Sequence, residues 1–357
     1  MQGYFTVAGL ALATHILVVP NCFRDGVSEV LEFQWDVVQR QDVGIGLVEP
    51  ASQNVAYLFR QLPGVITVEP FRTAFVRLSF SHQKRQIVIQ GLPARSLHNR
   101  VLNETSHVLD LPSDGLVVSA KLAELLGARV GEDLVVEVLE GKRPTRLIRL
   151  AGLAEDFAGV AAYMDMNGLN RLLGEGDIIS GASFRVDGAS WNKFLLALKG
   201  IPRVSWVAIK ESLRENFRST TAASIGLIQK IYMVFAVIVA FGVVYNNTRI
   251  SLAERGRELA TLRVIGFSRF EVGAVLVTEL VLLALMAVPL GLLFGTGLAK
   301  AILHAVNTET VRLPLILTTN NYAVAVLVVL VASTFSGLSV LRKLHQLDLV
   351  GVLKAPE

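Results

Sequence analysis

The sequence predicts an α-helical membrane protein of four transmembrane helices, with an α+β extracytoplasmic domain of two βαβ units and a β-rich insertion placed between helices 1 and 2. Three observations carry that expectation. Apolar residues fill 52% of the 357 positions and charged residues 18%, with a mean hydropathy of +0.51, which is too apolar for an ordinary soluble chain. Four apolar runs each come close to the roughly 20 residues that a helix needs to cross a bilayer. The charges are also segregated. Residues 24–222 hold 23 basic and 23 acidic side chains, so the net +4 resides in the remainder, with 11 basic and 7 acidic.

The first span is residues 4–23, with His15 its one ionisable group. A cleaved signal peptide fits it poorly, because only Met1, Gln2 and Gly3 precede it, with no basic n-region before it and no Ala-x-Ala site after it. Cys22 is the sole cysteine, which rules out an intrachain disulfide; it reads as a buried or interfacial thiol.

Residues 24–222 form the extracytoplasmic domain, and they contain a repeat. The stretch from Asp42 to Val68 reads as strand, turn, helix, strand, and the stretch from Ser183 to Val207 repeats that order. Pro-Ala-Ser and Gly-Ala-Ser fall at matching helix starts, Pro-Gly and Lys-Gly at matching stops. Between them, β signals lie at Arg72–Phe80, Arg85–Gln90, Asp133–Leu139 and Thr145–Leu153, with a short helix at Ser119–Leu126. Ser212 with Glu215 reads as a capping box, and nothing from Leu213 to Tyr245 breaks a helix, so one stiff helix is expected to lead into the second span.

The remaining spans are residues 225–245, 272–294 and 322–341, followed by a tail at 342–357. Loop 246–270 carries Arg249, Arg255, Arg257, Arg263 and Arg269, and the tail carries Arg342, Lys343 and Lys354, whereas the 303–321 loop has only Arg312. The positive-inside rule makes loop 246–270 and both termini cytoplasmic and residues 24–222 external. It also accounts for the basic excess without nucleic acid. Gly291 and Gly295, in GxxxG spacing, mark a surface where another helix can approach closely.

Loop 246–270 holds the most informative stretch. Ser251 with Glu254 reads as a capping box, Gly266 as the helix stop, and Ser268 with Glu271 as a second box that opens the next helix. Glu254, Arg257, Glu258 and Thr261 fall on one face, and Leu252, Gly256, Leu259, Ala260 and Leu262 on the other. The run Glu254-Arg-Gly-Arg-Glu-Leu-Ala-Thr-Leu-Arg-Val-Ile-Gly-Phe-Ser-Arg269 resembles the cytoplasmic loop of FtsX/MacB-like permeases, the membrane subunits of ABC transporters of the mechanotransmission type. An α/β subdomain carrying a mainly β one resembles that family's extracytoplasmic domain.

The resemblance implies a coupling helix at residues 251–265 that docks on a P-loop ATPase subunit. Arg255, Arg257, Glu258, Arg263 and Gly266 are then the coupling residues. It further implies a second permease copy or a homologous half as partner, contact with membrane lipid, a periplasmic adaptor, and a multi-pass place in the inner membrane. No cofactor is expected in this chain itself, and ATP is used through the partner subunit. The abrupt start suggests lost cytoplasmic residues or the second half of a longer permease. Family members differ widely in what they move, so neither substrate nor direction follows.

Other chemistry finds little support. Gly141-Lys142 lacks the upstream glycine of a phosphate loop and is followed by Arg143, so the chain is not expected to be the ATPase. No metal-spaced His/Cys cluster, H-E-x-x-H or G-x-S-x-G occurs, and no catalytic or metal residue is expected. Glu279 lies inside the third span, where a carboxylate is costly and is a functional candidate by default; the competing reading is an interhelical hydrogen bond. His15 reads as a packing residue for the same reason. The alternative function is a membrane-anchored ligand-binding, sensing or adhesion protein without a motor, and the elaborate loop argues against it.

Overall fold

The computed structural model describes residues 2–103, 105–156, 159–254, 258, 261–262, 264–306 and 314–346. Two compact units emerge: an α+β unit over Ser28–Thr220, and a helical unit comprising the N-terminal residues to Val27, Thr221–Ala305 and the chain from Pro314.

The long helix α1 (Gln2–Glu32) finishes in a π-helical turn at Phe33–Val38. The α+β unit then runs β1 (Val43–Ser52), α2 (Val55–Arg60), β2 (Val65–Phe80), β3 (Gln83–Leu92), β4 (Gly115–Ser119), α3 (Ala120–Leu126), β5 (Asp133–Val138), β6 (Thr145–Ala154), β7 (Ala162–Asp165), α4 (Met166–Leu173), β8 (Ile178–Val186), α5 (Trp191–Lys199), β9 (Val204–Ile209) and α6 (Lys210–Phe217).

The two repeats interleave. Strands pair in the order β2-β8-β1-β9, all antiparallel, so each unit's two strands are separated by a strand of the other. This is the split βαβ arrangement, in which neither repeat can complete its sheet alone. Val43, Ile45, Val68, Ala182 and Phe184 point to one face, where Phe59 of α2 and Phe194 of α5 pack on them. The Phe184 ring meets both, at centroid distances of 5.6 and 5.4 Å. The helix starts do not match residue for residue: Ser52 ends β1, with Asn54 before α2, while Ser190 closes a 3-10 turn before α5.

The insertion is more strand-rich than its sequence suggests. β2 continues past the sheet and pairs with β3 and β5, and the pairs β3–β7, β7–β4, β4–β6 and β6–β5 bring the chain of partners back to β2. Six strands thus close a ring. Alternate residues such as Ala74, Val76 and Leu78 on β2 and Leu134, Val136 and Val138 on β5 fill it, and α3 and α4 add Leu122, Leu126 and Leu169. Ser119 caps α3 by accepting the Leu122 N–H at 3.3 Å, and Asp165 caps α4 by accepting the Gly168 N–H at 3.0 Å. β4 and β7 escape the sequence reading because they are short and β4 is buried throughout, which removes the alternation that marks a strand.

Arg72 sits where β2 leaves the sheet for the ring. Only 3% exposed, it donates to both oxygens of Glu175 at 3.1 Å, to Ser180 Oγ at 2.8 Å and to its neighbour's carbonyl, and lies 3.2 Å from Glu140. Burial pushes the Glu140 carboxyl above its usual range, and the Arg72 charge offsets part of that rise.

After α6 comes a second π-helical segment, Arg218–Ala222, and then the helices α7 (Ala223–Glu254), α8 (Arg269–Val306) and α9 (Thr319–Gln346). Among the described residues four helical stretches, 4–38, 210–250, 278–305 and 319–336, are long and apolar enough to cross a membrane. Leu10 and Ala13 of α1, Ala240 and Val244 of α7, Leu280, Ala284 and Ala287 of α8, and Val329 and Ala332 of α9 form one core. Ser336 of α9 donates to the Phe241 carbonyl of α7 at 3.1 Å. At one end Asp25 accepts from Asn321 Nδ2 at 2.7 Å and Thr318 Oγ1 at 2.9 Å, placing a carboxylate at the start of α9, where the helix dipole favours it.

Two expected capping boxes are not helix starts. Ser251 lies inside α7, which runs through Glu254, and Ser212 lies two residues into α6, whose start at Lys210 has no side-chain cap. A box forms only at the residue that precedes the first helical turn: at Ser251 the preceding turns of α7 already occupy the N–H groups, and at Ser212 the chain has turned helical two residues earlier.

Candidate functional site

The segment joining α7 to α8 contains the family-like motif. Glu258 is helical and exposed, while Arg255, Arg257 and Arg263 lie outside the described residues. The helical stretch ends at Gly266, whose φ of +112° is one that a side chain with Cβ resists. There the Phe267 N–H donates to the Leu262 carbonyl at 3.1 Å, the six-residue closure of a Schellman stop. Two residues on, the Ser268 N–H donates to Glu271 Oε2 at 2.7 Å and the Glu271 N–H donates to Ser268 Oγ at 3.2 Å, a reciprocal box that opens α8. The Ser268 N–H, with its hydroxyl, holds the Glu271 carboxyl below its usual range. The stop and the restart together fix a sharp corner.

That corner displays apolar side chains. Val264 and Ile265 are 68% and 69% exposed, and Phe267 is 44% exposed. Attention to the charged face of the helix passes over these three. The signal for them is the run Val-Ile-Gly-Phe at a helix stop, where apolar residues have no intrahelical face to bury.

The intramembrane candidates lie on separate helices. Glu279 is half-buried on α8 beside Leu280, and His15 is half-buried on α1 beside Thr14, whose hydroxyl donates to the Leu10 carbonyl at 2.9 Å. Gly291 and Gly295 of α8 face α1: a Cβ at Gly291 would lie 2.6 Å from the Ala11 carbonyl oxygen, and one at Gly295 would lie 2.8 Å from Val18 Cβ. Among the described residues no group of His, Cys, Asp or Glu could hold a metal ion. The arrangement is suited to docking and to helix packing.

Residues 230–349 match the sequence model of the FtsX-like permease C-terminal domain. Over that third of the chain the sequence is similar to FtsX-like permeases. The matched stretch takes in most of α7, the corner at Gly266, α8 and α9. Among solved structures the chain is similar to the extracellular domain of the noncanonic ABC-type transporter YknZ from Gram-positive bacteria, at 12% identity and a TM-score of 0.34, covering 47% of this chain and 98% of that one. It is also similar to the periplasmic region of MacB from Actinobacillus actinomycetemcomitans, at 12% identity and a TM-score of 0.38, covering 54% and 99%. No curated protein matches the chain.

Proposed function

We propose that this chain is the permease subunit of an ABC transporter, which passes the motion of an ATP-hydrolysing partner to its α+β unit for export or extraction of a substrate. The FtsX-like match over residues 230–349 carries this reading. In it, the α7–α8 segment docks on a P-loop ATPase, with Arg255, Arg257, Glu258 and Arg263 giving charged contacts and Val264, Ile265 and Phe267 an apolar anchor. Aromatic and aliphatic anchors in a pocket carry most of the energy of such contacts, whereas rim charges are worth about 1 kcal/mol or less each. Gly266 sets the angle at which α8 leaves. The basic residues of the segment support a cytoplasmic side for it, with the α+β unit outside. The protein is then a multi-pass component of the inner membrane, paired with a second copy or a homologous half, in contact with lipid and open to a periplasmic adaptor. Glu279 is a candidate for proton or substrate handling.

The test is purification of the intact chain with its ATPase. Alone, the chain is expected to turn over no ATP. Gly266→Val, or Ile265→Ser with Phe267→Ser, should leave membrane levels unchanged while lowering ATPase co-purification at least tenfold. Arg257→Ala with Glu258→Ala should act more mildly. If all these variants retain their partner and wild-type transport, the segment is a plain linker and the motor-free sensing or adhesion reading replaces this one.

A further inference from the structure

We propose that the α+β unit carries a carbohydrate-binding site, taking a single pyranose ring, on the sheet face opposite α2 and α5. The inference rests on that unit alone and stands whatever drives the membrane part. One row across the sheet reads Trp206 of β9, Gly46 of β1, Gly181 of β8 and Phe71 of β2, each paired in register with the next. The two central glycines leave bare backbone, and the flanking rings fold over it: a Cβ at Gly46 would collide with the Trp206 indole, and one at Gly181 would meet the Phe71 ring. The rings end 6.5 Å apart and 25° from parallel. The neighbouring row, Ala208, Gly44, Ser183 and Glu69, is small over three of its four positions. This emptiness creates a cavity of about 260 Å³ beside the aromatic pair.

The cavity wall is rich in carboxamides. Gln39, Gln41, Gln90 and Asn99 all line it. Asn99 Nδ2 donates to Gln90 Oε1 at 3.2 Å, and among the described residues the buried Gln41 Oε1 has no hydrogen-bond partner. A carboxamide presents two donors and an acceptor, the complement of a hydroxyl that both donates and accepts. An apolar ligand would leave these groups unmet at a cost, and an anion would use only their donors. A sugar satisfies both the amides and the rings, because its C–H face is apolar and its rim is hydroxylated. Trp206 is 49% exposed, so its surface is open to a ligand. Glu69, the acid in the cavity, already accepts from Ser96 Oγ and from the Leu97 and His98 N–H groups, and Lys210, the cation in its lining, donates to the Trp35 and Gln39 carbonyls, which leaves the site's demand on a ligand mainly neutral.

The test uses the full chain in phosphatidylcholine nanodiscs, without glycoside detergents, titrated with N-acetylglucosamine and with cyclohexanol as a ring of like size lacking the hydroxyl rim. Saturation-transfer NMR should show saturable N-acetylglucosamine binding at least tenfold tighter than that of cyclohexanol. Trp206→Leu should weaken it at least tenfold with an unchanged melting temperature. Should Trp206→Leu fail to fold, Gln90→Met carries the same expectation, since it removes hydrogen-bonding capacity and keeps the volume. Absence of saturable binding to the wild type, equal binding of cyclohexanol, or folded variants that bind like the wild type would each overturn the assignment.

Discussion

His98 is almost fully buried, yet its ring nitrogens and backbone N–H all have partners. Its Nε2 lies 2.7 Å from Thr67 Oγ1 and its Nδ1 2.9 Å from Ser183 Oγ, while its own N–H goes to Glu69. Burial pushes its pKa below the usual 6.5, and the Glu69 charge pulls only partly against that. The sign follows directly. The folded chain holds His98 neutral where the unfolded chain would protonate it, so this contribution is fully present above about pH 6.5 and is lost as pH falls through the lowered folded value. The α+β unit should therefore melt at progressively lower temperature as pH drops from about 7.5 to about 5, and His98→Asn, which keeps hydrogen-bonding ability without a titrating group, should flatten that dependence. Identical slopes in the two proteins would count against it. None of these partners was legible, because Thr67 and Ser183 come together only through the β2–β8 pairing and His98 reaches them from the irregular segment after β3. Ser268 and Glu271 were legible because one helical turn brings them together. The same spacing at Ser212 and Ser251 misleads, because it does not report whether the backbone before it is already helical.

At the scale of the element, small residues decide how near α1 and α8 lie. Ala284, Ala287, Gly291, Gly295 and Ala299 make a buried stripe along α8, and two of its glycines abut α1 backbone or Val18. In a bilayer, helices associate through close packing, since lipid and side chain are equally apolar. Gly297 offers an internal control: it is on the same helix, and a Cβ there would meet nothing within 4 Å. Gly291→Leu and Gly295→Leu should each destabilise the helical unit by about 1–3 kcal/mol through overpacking, read as a lower melting temperature in detergent, with Gly297→Leu near neutral. Equal effects at all three positions would show that lost flexibility, and not contact with α1, is responsible. The GxxxG spacing announced a close approach, but spacing alone carries no information about which helix answers it.

At the scale of the molecule, the repeat was legible as two strand-helix-strand units, yet its meaning came only with the interleaved order β2-β8-β1-β9. Local patterns report that a segment is a strand; which strand lies beside it depends on long-range burial. β2 is the extreme case, a 16-residue strand whose first half pairs with β8 and whose second half pairs with β3 and β5. Reading a break near residue 70 was natural, since Pro70 falls there, but Arg72 bridges the junction with its ties to Glu175, Glu140 and Ser180. Sheet and ring therefore share one strand and one ion cluster centred on the buried Arg72, and neither can unfold without disturbing the other's pairing. The expectation is a single cooperative transition. Leu134→Ala, a fully buried change inside the ring, should cost about 2–5 kcal/mol. It should lower by the same margin the midpoint sensed by Trp191 and Trp206, which both lie in the sheet half, with Trp35→Phe as background so that those two indoles report alone. Hydrogen exchange should assign β5 and β8 amides the same opening free energy. A ring that melts while tryptophan fluorescence keeps its wild-type midpoint would instead make the insertion an independent domain threaded on β2.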